Sequence, residues 1–278
     1  MENNKNLKKE KRLNSQNLKP KIQKAILSYR LQVTSFMILG GLQKTTLIDY
    51  PGKIACTVFL LGCNFRCPFC YSPELVLPER IKDQPKISEK DFFKFLKRKK
   101  GLLEGVVICG SEPTFQSELP EFCRKIKSQG FLVKIDTNGS NPEMLEKLIK
   151  EKLVDYFALD IKAPLRQFSI FNYQFSKYDK ATGVKVDLEK IKESIKIIKN
   201  SGVDYEFRTT LIPAIHTKED ILQIARDISP AKKFYLQNFN TTKPLLNPLF
   251  QKIKPYDEEY LLEIKKEIES FFEEVGIR

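Results

Sequence analysis

The sequence predicts an α/β fold built on a parallel sheet, wound open or partly closed as a barrel. Two observations carry this. Six short apolar runs of β-branched character alternate with six segments of helical period, the pattern of repeated βα units. The chain is also long enough, at 278 residues with 41% apolar content, for one large α/β domain with a substantial core.

Taken in order, residues 1–36 are rich in Asn, Lys and Gln and hold nine basic against two acidic side chains, more than half of the net charge of +13. Such a tail can touch nucleic acid or a membrane surface, but its composition is that of a solvated, disordered extension. The folded domain is therefore expected to span 37–278, with no nucleic-acid partner. Ile54 to Leu61 is a continuous apolar run, read as the first strand. Ser88-Glu-Lys-Asp91 caps a helix carrying Phe92, Phe95 and Leu96. Gly105 to Cys109 is the second strand, and Leu119 to Ser128 a helix closed by Gly130. Phe131 to Ile135 is the third strand. Asn141-Pro142 then starts a helix, with Asn as cap and Pro at its first position.

Tyr156 to Asp160 is the fourth strand, followed by an aromatic-rich connection over 164–186. Leu188, Ile191, Ile195 and Ile198 mark a helix to Asn200, closed by Gly202. Tyr205 to Leu211 is the fifth strand, Thr217 to Ile228 the fifth helix, and Lys233 to Leu236 the sixth strand. Residues 237–255, with three prolines, read as a loop over one end. Leu261, Ile264, Ile268, Phe271 and Val275 keep helical spacing and predict the last helix.

Binding crevices of parallel α/β sheets lie at the carboxyl ends of the strands. Here these ends lead to Cys63, Cys67 and Cys70, to Gly110-Ser-Glu-Pro113, to Asp136-Thr-Asn-Gly139, to Asp160-Ile-Lys162, to Arg208-Thr-Thr210 and to Gln237-Asn238. Each has a plainer reading. The Asp136 stretch alone makes an Asx-capped turn, and Asp160 and Lys162, two apart, form an ion pair on one face. Cys56, Cys109 and Cys123 read as core, and His216, the only histidine, as a loop or capping residue before Thr217. The agreement of all six ends is what points to an active site.

Three of the six cysteines crowd into eight residues in C-x3-C-x2-C spacing, which suits metal or chemistry in a reducing compartment better than a disulfide framework. No run approaches 18 apolar residues and no signal-type segment opens the chain, so a cytoplasmic protein without a membrane span is expected. The thiols suit three sites: a zinc-bound interaction module lacking a nearby fourth ligand, a C-x-x-C dithiol leaving Cys63 idle, or an iron–sulfur cluster with one iron open to a non-protein ligand.

The spacing, with Phe69 before the last cysteine, resembles the motif of the radical S-adenosylmethionine (SAM) enzymes, a likeness running from about Met37 to the last helix. It implies that superfamily's partial (βα)6 TIM-like barrel. Within it, Gly41-Leu-Gln-Lys-Thr-Thr-Leu-Ile-Asp-Tyr-Pro-Gly-Lys53, Gly62 to Cys70, Asp136-Thr-Asn-Gly139 and Asp160-Ile-Lys162 resemble the activating proteins of anaerobic ribonucleoside-triphosphate reductase. These stretches are also similar to the pyruvate formate-lyase activators.

The resemblance implies an oxidoreductase with a [4Fe-4S] cluster on Cys63, Cys67 and Cys70, beside Phe69, whose open iron chelates SAM. Gly110, Ser111 and Glu112 would accept hydrogen bonds from the SAM ammonium. Asp136, Thr137, Asn138, Asp160 and Lys162 would meet the ribose or carboxylate, with Arg208 balancing charge. It further implies a glycyl-radical enzyme as partner and a reduced flavodoxin or ferredoxin as electron donor. A radical SAM enzyme of a small molecule is the further alternative. Two departures stand out. Ser111 replaces the second glycine of Gly-Gly-Glu-Pro, which either weakens SAM binding or adds a hydrogen bond. Tyr71-Ser72-Pro73 stands where related activases have His-Asn-Pro.

Overall fold

The computed structural model describes residues 37, 39–166, 168–170 and 173–278; the extension expected over 1–36 lies outside the described residues. Met37–Arg278 form one compact unit. Its sheet has eight strands: β1 (Leu39–Thr46), β2 (Ala55–Leu60), β3 (Gly105–Cys109), β4 (Leu132–Thr137), β5 (Tyr156–Asp160), β8 (Asp204–Leu211), β9 (Ala231–Asn238) and β10 (Phe272–Ile277). They lie in that order, with β1 antiparallel to β2 and all later pairs parallel. Two three-residue strands, β6 (Phe168–Ile170) and β7 (Tyr173–Phe175), form a separate antiparallel ribbon.

The six expected strands are β2, β3, β4, β5, β8 and β9, and each is followed by its helix: Glu89–Arg98, Leu119–Ser128, Pro142–Lys150, Leu188–Asn200, Lys218–Ile228 and Glu258–Ile268. Side-chain oxygens of Ser88, Asn141, Asp187 and Thr217 cap four of them, and Thr217 makes a reciprocal box with Asp220. Each such cap is worth about 1 kcal/mol.

Whether the sheet is doubly wound or barrel-like follows from where the helices pack. Val58, Val106, Ile108, Val133, Ile135, Phe157, Leu159, Phe207, Phe234 and Leu236 share one core with Leu96, Phe122, Leu148, Ile195, Ile224 and Ile264 of the six helices. These six helices therefore cover one face, as in a partial barrel. The alternate strand residues, Lys134, Asp136, Tyr156, Asp160, Glu206 and Arg208, belong to the other face. Tyr50, from the β1–β2 turn, lies against Tyr156 of that face at 5.8 Å between ring centroids. Among the described residues no helix is long and apolar enough to cross a membrane.

Two expectations are corrected. The 164–186 connection contains the β6–β7 ribbon and a helix, Lys177–Thr182, ended by Gly183 in the left-handed conformation. The last helix stops at Ile268, and Val275 belongs to β10, which pairs with β9. β1, which follows Met37, lies at one edge of the sheet.

Candidate active site

The cysteine loop leaves the end of β2 and is held by backbone contacts on three sides. Gly62 donates to the carbonyl of Leu75 at 2.8 Å, Arg66 to that of Thr182 at 2.7 Å, and Leu246 and Asn247 to those of Cys70 and Pro68 at 2.8 and 2.9 Å. The Arg66 guanidinium donates to the carbonyls of Cys63 and Phe65 at 2.6 and 2.7 Å, fixing the turn between the first two thiols. Phe65 N–H points at Cys63 Sγ at 3.4 Å, and the rings of Phe65 and Phe69 are buried beside the cysteines. All three thiols are free and half-buried.

Glu112 joins the next two strand ends. It is fully buried; Oε1 accepts from Thr137 Oγ1 at 2.7 Å, from the Thr114 amide at 3.0 Å and from the Thr114 hydroxyl, and Oε2 from the Asn138 amide at 2.7 Å. The Glu112 carboxylate is thus engaged within the protein by four donors. Burial raises the Glu112 pKa, and the four donors work against that shift. Gly110, with φ +99°, has no room for a Cβ, which would stand 3.0 Å from the Phe59 Cα. The Ser111 hydroxyl is buried with no hydrogen-bond partner among the described residues.

Asn138 makes the expected Asx turn, accepting from the Ser140 amide at 2.9 Å, and its Nδ2 donates to Asn64 Oδ1 at 3.0 Å. Asn64, in turn, donates to Ser140 Oγ at 2.8 Å. This residue of the cysteine loop, unremarked in the sequence, ties the thiols to the 136–140 turn.

Beside the thiols lies a charged network on the helix-free face. Lys134 pairs with Asp136 at 2.5 Å, and Lys162 with Asp160 at 3.0 Å. Arg208 bridges both carboxylates, Nη1 to Asp136 at 2.9 Å and Nε to Asp160 at 2.8 Å. Burial opposes the charged forms, but Arg208 first and then Lys134 or Lys162 outweigh it and hold both aspartates below the usual carboxylate range. Lys162 Nζ stands 5.9 Å over the Phe69 ring, and its charge acts on Cys67. The expected Asp160–Lys162 pair is therefore present, as one member of a larger set that faces the thiols.

Cys56 and Cys123 are core as expected, but Cys109 is half-buried on the charged face, where burial and then Asp136 keep its thiol protonated. His216 is buried with both nitrogens engaged: Nδ1 accepts from the Ile212 amide at 3.0 Å, so Nε2 carries the proton toward the Lys162 carbonyl at 2.8 Å. It is a structural tie, as the loop reading expected. Thr210 approaches Gln237 at 3.5 Å, and Asn238 is bound to the Tyr256 carbonyl.

The three rival readings of the thiols can now be weighed. Burial raises the Cys63 thiol to about 12 and the Cys67 thiol to about 11, the opposite of the lowered values that drive dithiol exchange. Structural zinc takes four protein ligands, and the cysteine loop supplies three. A cluster gives each thiolate its own iron, and an all-sulfur donor set suits it. The residues fit that group: three thiols with an amide directed at Cys63, beside a charged face and an orphaned Ser111 hydroxyl.

Residues 57–228 match the radical SAM superfamily. A protein of Methanocaldococcus jannaschii, provisionally named a glycyl-radical enzyme activating enzyme, is 34% identical over 248 residues, 87% of this chain and 95% of that one. The pyruvate formate-lyase-activating enzyme of Clostridium pasteurianum is 26% identical over 217 residues, covering 74% and 84% of the two chains. The crystal structure of Streptococcus suis SuiB bound to S-adenosylmethionine shares the fold at a TM-score of 0.58 and 18% identity, over 78% of this chain and 48% of that one. The chain belongs to the radical SAM superfamily and, within it, to the family of the glycyl-radical enzyme activating enzymes.

Proposed function

We propose that this enzyme installs a glycyl radical on an anaerobic ribonucleoside-triphosphate reductase. Its cofactors are a [4Fe-4S] cluster and SAM. In our reading Cys63, Cys67 and Cys70 hold the cluster, with Phe69 walling it. When bound, the two cofactors supply a reductively generated 5′-deoxyadenosyl radical that takes hydrogen from a glycine of the partner.

The observation that carries this reading is the charge pattern beside the thiols. Asp136 and Asp160 each have their own lysine, and Arg208 is an additional buried cation laid across both. A site with one cation beyond its own carboxylates accepts an anionic group, and the α-carboxylate of SAM is such a group. Arg208 and Lys162 take that carboxylate; the backbone of Gly110, Ser111 and Glu112 accepts the ammonium, and the Ser111 hydroxyl adds a contact that glycine lacks. Thr137 and Asn138 are held by Glu112 so that their turn faces the same space. The protein thereby binds, aims and keeps water from the reacting atoms.

The choice of partner rests on the likeness over Gly41–Lys53 and Gly62–Cys70. The similarity to a pyruvate formate-lyase-activating enzyme supports a pyruvate formate-lyase-type partner as the second reading. A reduced flavodoxin or ferredoxin is the proposed donor, the cytoplasm the proposed location, and residues 1–36 a dispensable extension whose deletion leaves SAM cleavage intact.

The test is anaerobic. Reduced protein and SAM are mixed with a ribonucleotide reductase or a pyruvate formate-lyase-type enzyme, and the glycyl EPR doublet is recorded. A doublet on the reductase is expected; one on the formate-lyase-type enzyme alone would replace the first reading with the second. Cys63→Ala is expected to abolish the cluster signal, and its survival would refute the ligand assignment.

A further inference from the structure

Arg208 can face a ligand only if nothing beneath it claims its charge, and beneath it lies Glu206. The two residues are neighbours on the same face of β8, Arg208 Nη1 stands 3.8 Å from Glu206 Oε1, and the Glu206 side chain is fully buried. A buried carboxylate without a partner is among the costliest groups in a protein, so an unpaired Glu206 would draw Arg208 down and away from Asp136 and Asp160.

Glu206 is instead satisfied from the far edge of the sheet. Arg278 donates Nη1 to Oε1 at 2.7 Å and Nη2 to Oε2 at 3.0 Å, the two-point geometry that suits a carboxylate, and Tyr156 OH donates to Oε2 at 3.0 Å. The fold builds this contact deliberately. β10 pairs with β9 up to Ile277, and the Arg278 amide continues the pairing to the Leu236 carbonyl at 2.9 Å. Gly276, two residues earlier on the same face, leaves room for the Tyr235 ring; a Cβ there would meet the ring at 2.6 Å. The Arg278 guanidinium lies 3.6 Å over that ring.

Each carboxylate that Arg208 approaches then has its own cation: Lys134 for Asp136, Lys162 for Asp160 and Arg278 for Glu206. Arg208 is the additional one. We propose that Arg278 is a positioning residue of the SAM site, which neutralises Glu206 and so leaves Arg208 to hold the SAM carboxylate. This rests on the reading of Arg208 as the carboxylate-binding cation.

The test measures binding to the cluster-loaded protein by anaerobic calorimetry, with SAM and with decarboxylated SAM as probes. Arg278→Gln is expected to weaken SAM at least tenfold and to leave decarboxylated SAM within threefold. Adding Glu206→Gln to that variant is expected to restore SAM affinity, because the amide no longer competes for Arg208. A purely structural Arg278 would weaken both probes together and show no rescue; either result overturns the proposal. Should Arg278→Gln fail to fold, Glu206→Gln alone carries the test: SAM affinity is expected to hold or tighten, and a tenfold loss refutes the competition. Arg208→Gln separates the two claims. If it leaves SAM affinity unchanged, the reading of Arg208 fails; if it weakens SAM while Arg278→Gln does not, only the positioning role fails.

Discussion

Gly183→Ala is expected to damage the cysteine loop from outside it. Gly183 ends the Lys177–Thr182 helix at φ +69°, and a Cβ there would stand 2.2 Å from the Arg66 carbonyl oxygen. Ordinary contact lies near 3.5 Å, so the Arg66–Cys67 peptide must retreat by about 1 Å. The left-handed backbone alone costs roughly 1–2 kcal/mol for alanine. Loss of the Arg66 N–H bond to the Thr182 carbonyl, now 2.7 Å, adds about 1 kcal/mol. The sum, about 2–3 kcal/mol, corresponds to a fall in Tm of roughly 4–12 °C for a domain of this size. Gly202→Ala is the control: its φ is +75°, but nothing lies within 4 Å of the added Cβ, so it carries the backbone strain without the collision. The assay pairs thermal unfolding with iron and sulfide content after anaerobic reconstitution. Gly183→Ala is expected to lose most of its iron and Gly202→Ala to keep it. Equal iron content and equal Tm in the two variants would show that the helix end does not shape the cluster loop.

Two further outcomes follow from buried polar groups. Glu112→Gln presents amide hydrogens to donors that now meet a carboxylate, and is expected to cost about 2–3 kcal/mol in chemical denaturation; a change below half of that would mean the four hydrogen bonds are not formed together. Burial holds the His216 pKa near 4 against about 6.5 in the unfolded chain, so the unfolded chain takes up its proton first as pH falls. Stability should decline from about pH 6.5 to about pH 4, by about 3 kcal/mol in total, and a His216→Gln variant with the same urea-midpoint pH slope would refute the assignment.

The βα units were legible because their local and tertiary preferences agree. Gly105–Cys109, Tyr156–Asp160, Leu119–Ser128 and Leu188–Asn200 lie within the bounds their apolar pattern predicts. Where the two preferences conflict, the reading failed. β1 carries two glycines and no alternation, since Gly40 and Gly41 admit the Leu61 and Phe59 side chains against the backbone, where a Cβ would stand 2.4 and 3.3 Å away. Phe271 and Val275 continue the helical spacing of Leu261, Ile264 and Ile268, yet the free edge of β9 draws Phe272–Ile277 into the sheet. The ribbon and the six-residue helix after β5 are too short to show a period.

The candidate site divides along the same line. Cysteines, Asp136, Asp160, Lys162 and Arg208 follow strand ends, so chain order alone brings them to one rim. What local sequence leaves open is which of these charges are already satisfied. Glu112 is tied by four hydrogen bonds within the protein, and Arg208 is, in our proposal, the cation in excess. Both answers come from partners distant in the chain, Thr137 and Asn138 for the first, Arg278 for the second, and the latter reaches its place only because the end of the chain turns from helix to strand. On that proposal the excess cation, and with it the site's appetite for a carboxylate, is a property of strand register at the far edge of the sheet. A motif around the thiols can report that a cluster belongs there; in our proposal, whether SAM is held by its carboxylate depends on a strand that helical spacing hides.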